Sequence, residues 1–263
     1  MTINYFGYGS NMGTAAMRAK GVDPLSSRRA ELPGWRLRFN VRHWFRHEGG
    51  MASVEPSEAD DDRVLGVLHV CRDEDLARLD ALEAYGVGYD RITVEVRTDD
   101  GPIDALTYVG LPRILDDACR PTRRYLDILL EGAREAELDP DYIRALESRP
   151  LHPAWDYPPF EHPPGDFPVF HAESLARYPD HVAVDTAVFD MSGARSELDV
   201  FRELFGGKDT TLFHLKRLES GTATQTLEDV HAGRISRYGR IYLNAYLHEY
   251  DREFTYAGRF SHA

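Results

Sequence analysis

Residues 5–12 of the chain read Tyr-Phe-Gly-Tyr-Gly-Ser-Asn-Met, a short apolar run that passes through two glycines into a polar turn. Glycine adopts backbone angles that other residues avoid, so a strand can end here in a tight loop. Such a loop can aim several backbone N–H groups at one point and form a nest for a carboxylate or an oxyanion. The alternative is an ordinary turn capped by the Ser10 or Asn11 side chain. Taken alone, the stretch favours the ordinary turn.

A second stretch, residues 73–83, predicts a helix with one apolar face formed by Leu76, Leu79 and Leu82. Asp73 is expected to cap its N-terminus. Glu83 is expected at its C-terminal end, where the helix dipole disfavours a carboxylate and partial burial would raise the carboxyl pKa. A raised pKa suits proton transfer near neutral pH. The alternative, which Glu83 alone favours, is a solvated surface glutamate.

Bulk composition restricts the classes of protein to which the chain can belong. Its 263 residues include 44 acidic and 31 basic side chains, for a net charge of −13. An acidic chain lacks the clustered cations that bind nucleic acid or an anionic membrane, so we expect neither partner. Two cysteines are too few for a disulfide framework, and no apolar run approaches the ~20 residues that span a bilayer. We therefore expect a cytoplasmic protein.

Residues 1–148 alternate short strand patterns with a few helices. Apolar and β-branched runs bounded by Gly, Pro and Asp predict strands at residues 3–7, 32–41, 50–54, 64–71, 90–97 and 103–109. Further helices are predicted at residues 121–136 and 140–147, and the acidic run 58–62 is expected to be a solvated loop. The predicted fold class is α+β, with a small antiparallel β-barrel and flanking helices in this part.

Taken together, these pieces resemble the γ-glutamyl cyclotransferase family. Residues 8–12 match the YGSN[LM] loop of that family, and residues 79–83, Leu-Asp-Ala-Leu-Glu, match the segment of its catalytic glutamate. Tyr89 follows that segment, and Tyr125 lies in a helix resembling the one that brings a tyrosine to the pocket. Further family-like strands lie between them in the same order, at residues 32–37, 50–54 and 65–68. The ordered set over residues 3–148 carries the resemblance.

The resemblance implies a reaction that needs neither a cofactor nor a metal ion. The α-amine of a γ-glutamyl compound would attack its own γ-carbonyl carbon, which releases 5-oxoproline and a free amine or peptide. Glu83 would be the acid/base, and N–H groups of residues 9–12 would stabilise the developing oxyanion. Tyr89 and Tyr125 would either bond the α-amino or α-carboxyl group or simply pack. The predicted substrate-binding residues are Tyr8, Gly9, Ser10, Asn11, Met12, Tyr89 and Tyr125.

Residues 149–168 read RPLHPAWDYPPFEHPPGDFP, and seven of these residues are proline. Proline fixes φ and removes a backbone donor, so neither a helix nor a central strand can run through this segment. Its aromatic residues indicate that it packs along a surface. We therefore predict a catalytic domain at residues 1–148, a connector at 149–168 and a small α+β domain at 169–263.

The C-terminal part predicts two short strands within residues 182–192 and helices at 197–205 and 238–253. Residues 181–194, 203–211 and 247–260 weakly resemble the cytochrome b5-like fold, especially its membrane-associated progesterone-receptor branch. That family binds haem or small ligands, but Arg202 stands where the receptor branch places its haem-ligating tyrosine. We therefore expect no haem, His214 and His231 at the surface, and a domain that engages a protein partner or gates the substrate.

Two functions stay open at this point. One is a γ-glutamyl cyclotransferase, and the other is a catalytically silent binding protein whose C-terminal domain recruits a partner or haem. The loop and Glu83 favour the first. The basic and aromatic run 42–47 either lines the pocket mouth or ends a strand. His43 and His47 lack the helix and the third ligand that a zinc site would need, so no metal is expected.

Overall fold

The computed structural model describes residues 1–59, 61–218 and 224–262. Asp60 of the predicted acidic loop and residues 219–223 and 263 of the predicted C-terminal domain lie outside the described residues. The chain forms two compact units. The first contains residues 1–43 and 48–153, and the second contains residues 44–47 and 154–262 as far as they are described. The predicted connector, residues 149–168, has neither helix nor strand.

Five strands of the first unit close into a barrel in the order β1-β5-β2-β6-β7. They are β1 (Thr2–Gly7), β2 (Ser26–Pro33), β5 (Arg63–Arg72), β6 (Tyr89–Thr98) and β7 (Gly101–Gly110). The pairing is antiparallel except between β1 and β7, which run parallel with Tyr5 opposite Leu106. This agrees with the predicted barrel.

The single strand predicted at residues 32–41 is wrong. Gly34 has a φ of +73°, a value that favours glycine, and it separates β2 from β3 (Trp35–Arg42). Strand β3 pairs with β4 (Gly50–Pro56) in a separate two-stranded sheet. The apolar pattern ran through both strands because residues on either side of the turn face the same core.

Four helices flank these strands: α1 (Thr14–Ala19), α2 (Leu76–Leu82), α3 (Arg123–Glu135) and α4 (Pro140–Glu147). The predicted cap at Asp73 is wrong. Residues 73–75 form a 3₁₀ turn before α2, and the Asp75 carboxylate accepts a hydrogen bond of 3.1 Å from the Arg72 N–H. The backbone is extended at Arg72, so Arg72 is the N-cap of the 3₁₀ turn and Asp73 already lies inside that turn. Asp75, the residue before α2, makes no side-chain capping hydrogen bond to the helix.

Helix α3 packs directly on the start of α1. A Cβ atom on Gly132 would lie 2.9 Å from both the Gly13 nitrogen and the Met12 Cβ. Gly13 gives α1 no side-chain cap, and the Glu135 carboxylate of α3 instead accepts from the backbone N–H and hydroxyl of Thr14. Helix α3 therefore fixes the turn before α1 through the close packing at Gly132 and the hydrogen bonds of Glu135.

The second unit is built on a five-stranded sheet in the order β11-β9-β10-β12-β8. The strands are β8 (Val169–Phe170), β9 (His181–Val184), β10 (Ala187–Asp190), β11 (Lys208–Asp209) and β12 (Thr255–Phe260), and the helices are α5 (Ala172–Leu175), α6 (Asp199–Phe205), α7 (Thr211–Leu218), α8 (Leu227–His231) and α9 (Arg237–Glu253). Among the described residues, no helix is both long and apolar enough to cross a membrane.

An aromatic core fills the second unit, and residue Phe45 belongs to it. Phe45 is 2% exposed, and its ring lies 5.1 Å from Tyr250 and 5.5 Å from both Phe201 and Tyr246. The predicted assignment of all of residues 1–148 to one domain therefore needs correction. Residues 44–47 group with the second unit because Phe45 finds its apolar contacts there.

The expectation that His214 lies at the surface is also wrong. His214 is 1% exposed, its ring stacks on Tyr246 at 3.6 Å, and its Nε2 lies 2.8 Å from the Tyr250 hydroxyl. It lies on the inner face of α7, which the sequence alone did not define. His231, by contrast, is exposed as predicted.

Glu249 is a buried carboxylate on α9, and its side chain has no exposed surface. Arg46 donates to it from the backbone N–H and the guanidinium, and Arg252 and the Tyr157 hydroxyl donate as well. Burial alone would raise the Glu249 pKa, but the hydrogen bonds from Arg46 and Arg252 outweigh it and lower the pKa from 4.5 to about 2.

We predict that Gly132→Ala destabilises the protein by about 1 to 2 kcal/mol. Alanine favours helices, but its Cβ would displace the turn at residues 12–13, and overpacking outweighs the gain in propensity. Thermal unfolding followed by circular dichroism measures the change. Gly193→Ala is the control, because a Cβ there meets no atom within 4 Å. Equal melting temperatures for the two variants would contradict this packing.

A second prediction concerns acid stability. The Glu249 pKa is lowered on folding, so its stabilisation is complete above pH 4.5 and is lost as the pH falls towards 2. The Glu249→Gln variant should lack this contribution, which amounts to about 2 to 3 kcal/mol. Urea unfolding at pH 7 and pH 3 measures it, with the exposed Glu228→Gln as the control. A pH dependence in Glu249→Gln as large as in the wild type would refute the assignment.

Candidate active site

The loop that follows β1 is a compact turn closed by its own backbone. The Met12 N–H donates to the Gly9 carbonyl at 3.1 Å, and Met12 itself is buried in the core. Gly7 allows the closure, since a Cβ there would lie 2.8 Å from the Asn11 carbonyl oxygen. The predicted use of the Met12 N–H for an oxyanion is therefore wrong. Among the described residues, the Ser10 and Asn11 N–H groups have no acceptor, so the nest consists of earlier residues of the loop.

Asn11 connects this loop to Glu83. Its side-chain Nδ2 donates to Glu83 Oε1 at 2.8 Å and to the Tyr5 hydroxyl at 2.8 Å. Asn11 is 3% exposed, so its hydrogen bond to Tyr5 is buried, whereas the one to Glu83 is partly buried. The two features on which the sequence prediction depended, the loop and the glutamate, are thus in direct contact.

Glu83 is the C-terminal cap residue of α2 and is partly buried. Tyrosine side chains surround it. Burial raises the pKa of Tyr5 and of Tyr8, and the nearby Glu83 carboxylate raises each pKa further. Burial also raises the pKa of Tyr89, with smaller contributions from its tyrosine neighbours and Glu83. These phenols are therefore protonated at neutral pH and add no negative charge near the Glu83 carboxylate.

Tyr89 and Tyr125 meet at the backbone of Ala52 on β4. The Tyr89 hydroxyl donates to the Ala52 carbonyl at 2.9 Å, and the Ala52 N–H donates to the Tyr125 hydroxyl oxygen at 3.1 Å. A Cβ on Gly9 would lie 3.3 Å from the Tyr125 hydroxyl, so the glycine loop faces this pair closely. The structure thus brings Gly9, Tyr89 and Tyr125 together around Ala52.

Tyr8 belongs to the glycine loop, and its side chain is hydrogen-bonded to β7. Its hydroxyl donates to the carbonyl oxygen of Tyr108, a residue of β7. The Tyr108 hydroxyl in turn donates to Asp80 at 2.7 Å, and Arg91 pairs with the same carboxylate. The Asp80 hydrogen bond and ion pair connect α2, whose C-terminal cap residue is Glu83, to β6 and β7.

Two residues of this neighbourhood were missed in the sequence. His69 is fully buried, and its Nε2 lies 2.8 Å from the Asn11 carbonyl oxygen, with Nδ1 2.7 Å from the Ser27 hydroxyl. Burial lowers the His69 pKa, so the ring is neutral at pH 7. The position of this histidine inside the apolar run 64–71 could have indicated from the sequence that it is buried.

Lys20 lies at the end of α1, and nothing in the sequence marked it as a residue of the site. Its ammonium group contacts Ser10 and Asn11.

The arrangement provides the elements of acid–base chemistry. It combines the Glu83 carboxylate, which is hydrogen-bonded to Asn11, with several phenolic hydroxyls and with the N–H groups of Ser10 and Asn11, for which the described residues offer no acceptor. Among residues 1–59, 61–218 and 224–262, no group of three His, Cys, Asp or Glu side chains is placed to hold a metal ion.

Comparison with known proteins connects this site to one family. Residues 5–126 match the family model described as gamma-glutamyl cyclotransferase, AIG2-like. The chain is also 29% identical over 140 residues to the protein named gamma-glutamyl cyclotransferase gliK from Claviceps purpurea (strain 20.1). That match covers 50% of this chain and 62% of the relative, so the chain spans about three fifths of the relative's length.

Solved structures with the same fold support the match. One described as gamma-glutamyl cyclotransferase has a TM-score of 0.51 at 26% identity, covering 58% of this chain and 90% of that one. An uncharacterized protein from Homo sapiens, loc79017, has a TM-score of 0.52 at 26% identity, covering 59% and 92%. YkqA from Bacillus subtilis has a TM-score of 0.50 at 26% identity, covering 57% and 56%. Over residues 5–126, this chain therefore matches the gamma-glutamyl cyclotransferase, AIG2-like family in sequence and shares its fold.

Proposed function

We propose that the protein is a γ-glutamyl cyclotransferase, which releases 5-oxoproline from a γ-glutamyl compound. The observation that carries the proposal is the hydrogen bond between Asn11 and Glu83. It joins the glycine loop, which can hold a carbonyl oxygen, to a carboxylate that can move a proton. The names of the matched family and of the relative from Claviceps purpurea support the same reaction class.

In the proposed reaction, Glu83 accepts a proton from the α-ammonium group of the substrate. The freed amine attacks the γ-carbonyl carbon, and the oxygen gains charge next to the N–H groups of the loop. Glu83 then returns the proton to the leaving nitrogen as the original amide bond breaks. The ring nitrogen still carries one extra proton after its attack, and Glu83 passes this second proton on, so that the amine leaves as its ammonium form. Because the nucleophile belongs to the substrate itself, the protein has only to fold the glutamyl chain into attack geometry.

The tyrosines fit the polar end of such a substrate. Tyr8, Tyr89 and Tyr125 surround the loop, and the raised pKa values of Tyr8 and Tyr89 keep their hydroxyls protonated. A protonated phenol can donate one hydrogen bond to a substrate carboxylate without adding a competing charge. To do so, the Tyr8 and Tyr89 hydroxyls would exchange their backbone carbonyl acceptors for the substrate. We propose that these three side chains line the substrate site, with Gly9, Ser10 and Asn11 supplying the loop. A catalytic role for residues 1–43 and 48–148, a cytoplasmic location and a cytochrome b5-like C-terminal part are further proposals from the sequence.

The test of the acid/base is the Glu83→Gln variant. Glutamine keeps an oxygen that can accept from Asn11 but cannot carry the proton, so kcat for 5-oxoproline release should fall about 10²- to 10⁴-fold. Thermal unfolding should be close to that of the wild type. Glu74→Gln, at an exposed position before α2, is the matched control and should keep wild-type activity. Wild-type turnover by Glu83→Gln would exclude Glu83 as the acid/base.

The leaving group is tested with a panel of γ-glutamyl compounds. It contains glutathione, γ-glutamyl amino acids, γ-glutamyl amines and a glutamylated secondary metabolite, with release of 5-oxoproline as the measurement. At least one member should be turned over. The matching α-glutamyl peptides should not, because their amine cannot close a five-membered ring on the scissile carbonyl. No release from any γ-glutamyl compound would favour the alternative of a silent binding protein.

A further inference from the structure

Lys20 contacts the substrate loop from outside the residues assigned to the proposed chemistry. It is the C-terminal cap residue of α1. Its ammonium group donates to the Asn11 side-chain Oδ1 and lies 3.2 Å from the Ser10 hydroxyl. Only three of the 31 basic residues of the chain are lysines, so this position departs from the chain's general use of arginine. A compact ammonium with three donors suits two closely spaced oxygens.

The contact with Lys20 determines which way the Asn11 amide points. An amide presents an acceptor at one end and two donors at the other, whereas an ammonium can only donate. Oδ1 therefore faces Lys20, and Nδ2 faces Glu83 Oε1 and the Tyr5 hydroxyl, each at 2.8 Å. In the flipped orientation, Oδ1 would face the Glu83 carboxylate, and the two acceptors would repel each other.

The charge of Lys20 also acts through the amide. A charged donor on Oδ1 polarises the group, so its N–H bonds become stronger donors. Asn11 has little freedom to respond in any other way, since it is 3% exposed and its carbonyl oxygen lies 2.8 Å from His69 Nε2. The orientation of Glu83 thus depends on a cation that does not need to touch the substrate.

We propose that Lys20 is a positioning residue that fixes the Asn11 amide and, through it, the Glu83 carboxylate. This inference rests on the proposed cyclotransferase function. It assigns to Lys20 an effect on the chemical step rather than on the binding of the γ-glutamyl compound. Loss of Lys20 leaves the loop and the tyrosines in place but lets the amide rotate, and misplacement of a reacting group by about 1 Å costs up to about 10²-fold in rate.

The experiment measures kcat and KM for 5-oxoproline release by Lys20→Met and Lys20→Arg, using the γ-glutamyl compound that the wild type turns over best. Lys20→Met should lower kcat about 10- to 100-fold with KM changed less than about threefold. Lys20→Arg, which keeps the charge and can donate to both oxygens, should recover most of the lost kcat. Arg18→Met, an exposed position on the same helix, is the matched control and should behave as wild type.

A double-mutant cycle tests the route of the effect. If Lys20 acts through Asn11, then Lys20→Met in an Asn11→Ala background should lower kcat by less than about twofold. Additive losses in the double variant would overturn the inference, as would a wild-type kcat in Lys20→Met or a loss confined to KM. Should Lys20→Met fail to fold, Lys20→Gln takes its place with the same expected split between kcat and KM. A wild-type protein that releases no 5-oxoproline overturns the proposed function itself, and the Lys20 inference with it.

Discussion

The hydrogen bond between the Asn11 amide and the Glu83 carboxylate joins segments that are 72 residues apart. The closed barrel brings them to one end of the first unit. Strand β1 runs parallel to β7 with Tyr5 opposite Leu106, so β1 ends at the level of Tyr108. At that level β7 pairs with the first residues of β6, where Arg91 lies opposite Tyr108. The loop after β1 and the helix end before β6 therefore meet.

Buried tyrosines and one buried histidine lie around this hydrogen bond, and burial determines their protonation states. Burial keeps the phenols of Tyr5, Tyr8 and Tyr89 in their neutral form, so these side chains add no negative charge near the carboxylate. His69 is buried in its neutral form, and its Nε2 contacts the backbone carbonyl oxygen of Asn11.

Much of the first unit could be predicted from its sequence, because its signals are local. Strand alternation and turn glycines predicted β1, β5, β6 and β7 of the barrel, but β2 was missed except for its last two residues. The pattern at residues 140–147 gave the bounds of α4. The loop and Glu83 could be named as site residues only through their order along the chain. Lys20 and His69 could not be found in this way, since their importance arises from contacts with Asn11 that no spacing in the sequence encodes. The break at Gly34 was missed because the apolar pattern continues through it.

The aromatic core of the second unit is discontinuous along the chain, because Phe45 packs with residues of α6 and α9. On the ribosome, Phe45 emerges long before α9 (Arg237–Glu253) has been synthesised. Phe45 therefore cannot contact Tyr246 and Tyr250, and Arg46 cannot pair with Glu249, until α9 has been synthesised. Completion of the aromatic core is thus a late event in the synthesis of the chain, and a nascent chain that stops before α9 lacks the Tyr246 and Tyr250 contacts of Phe45 and the Glu249 partner of Arg46.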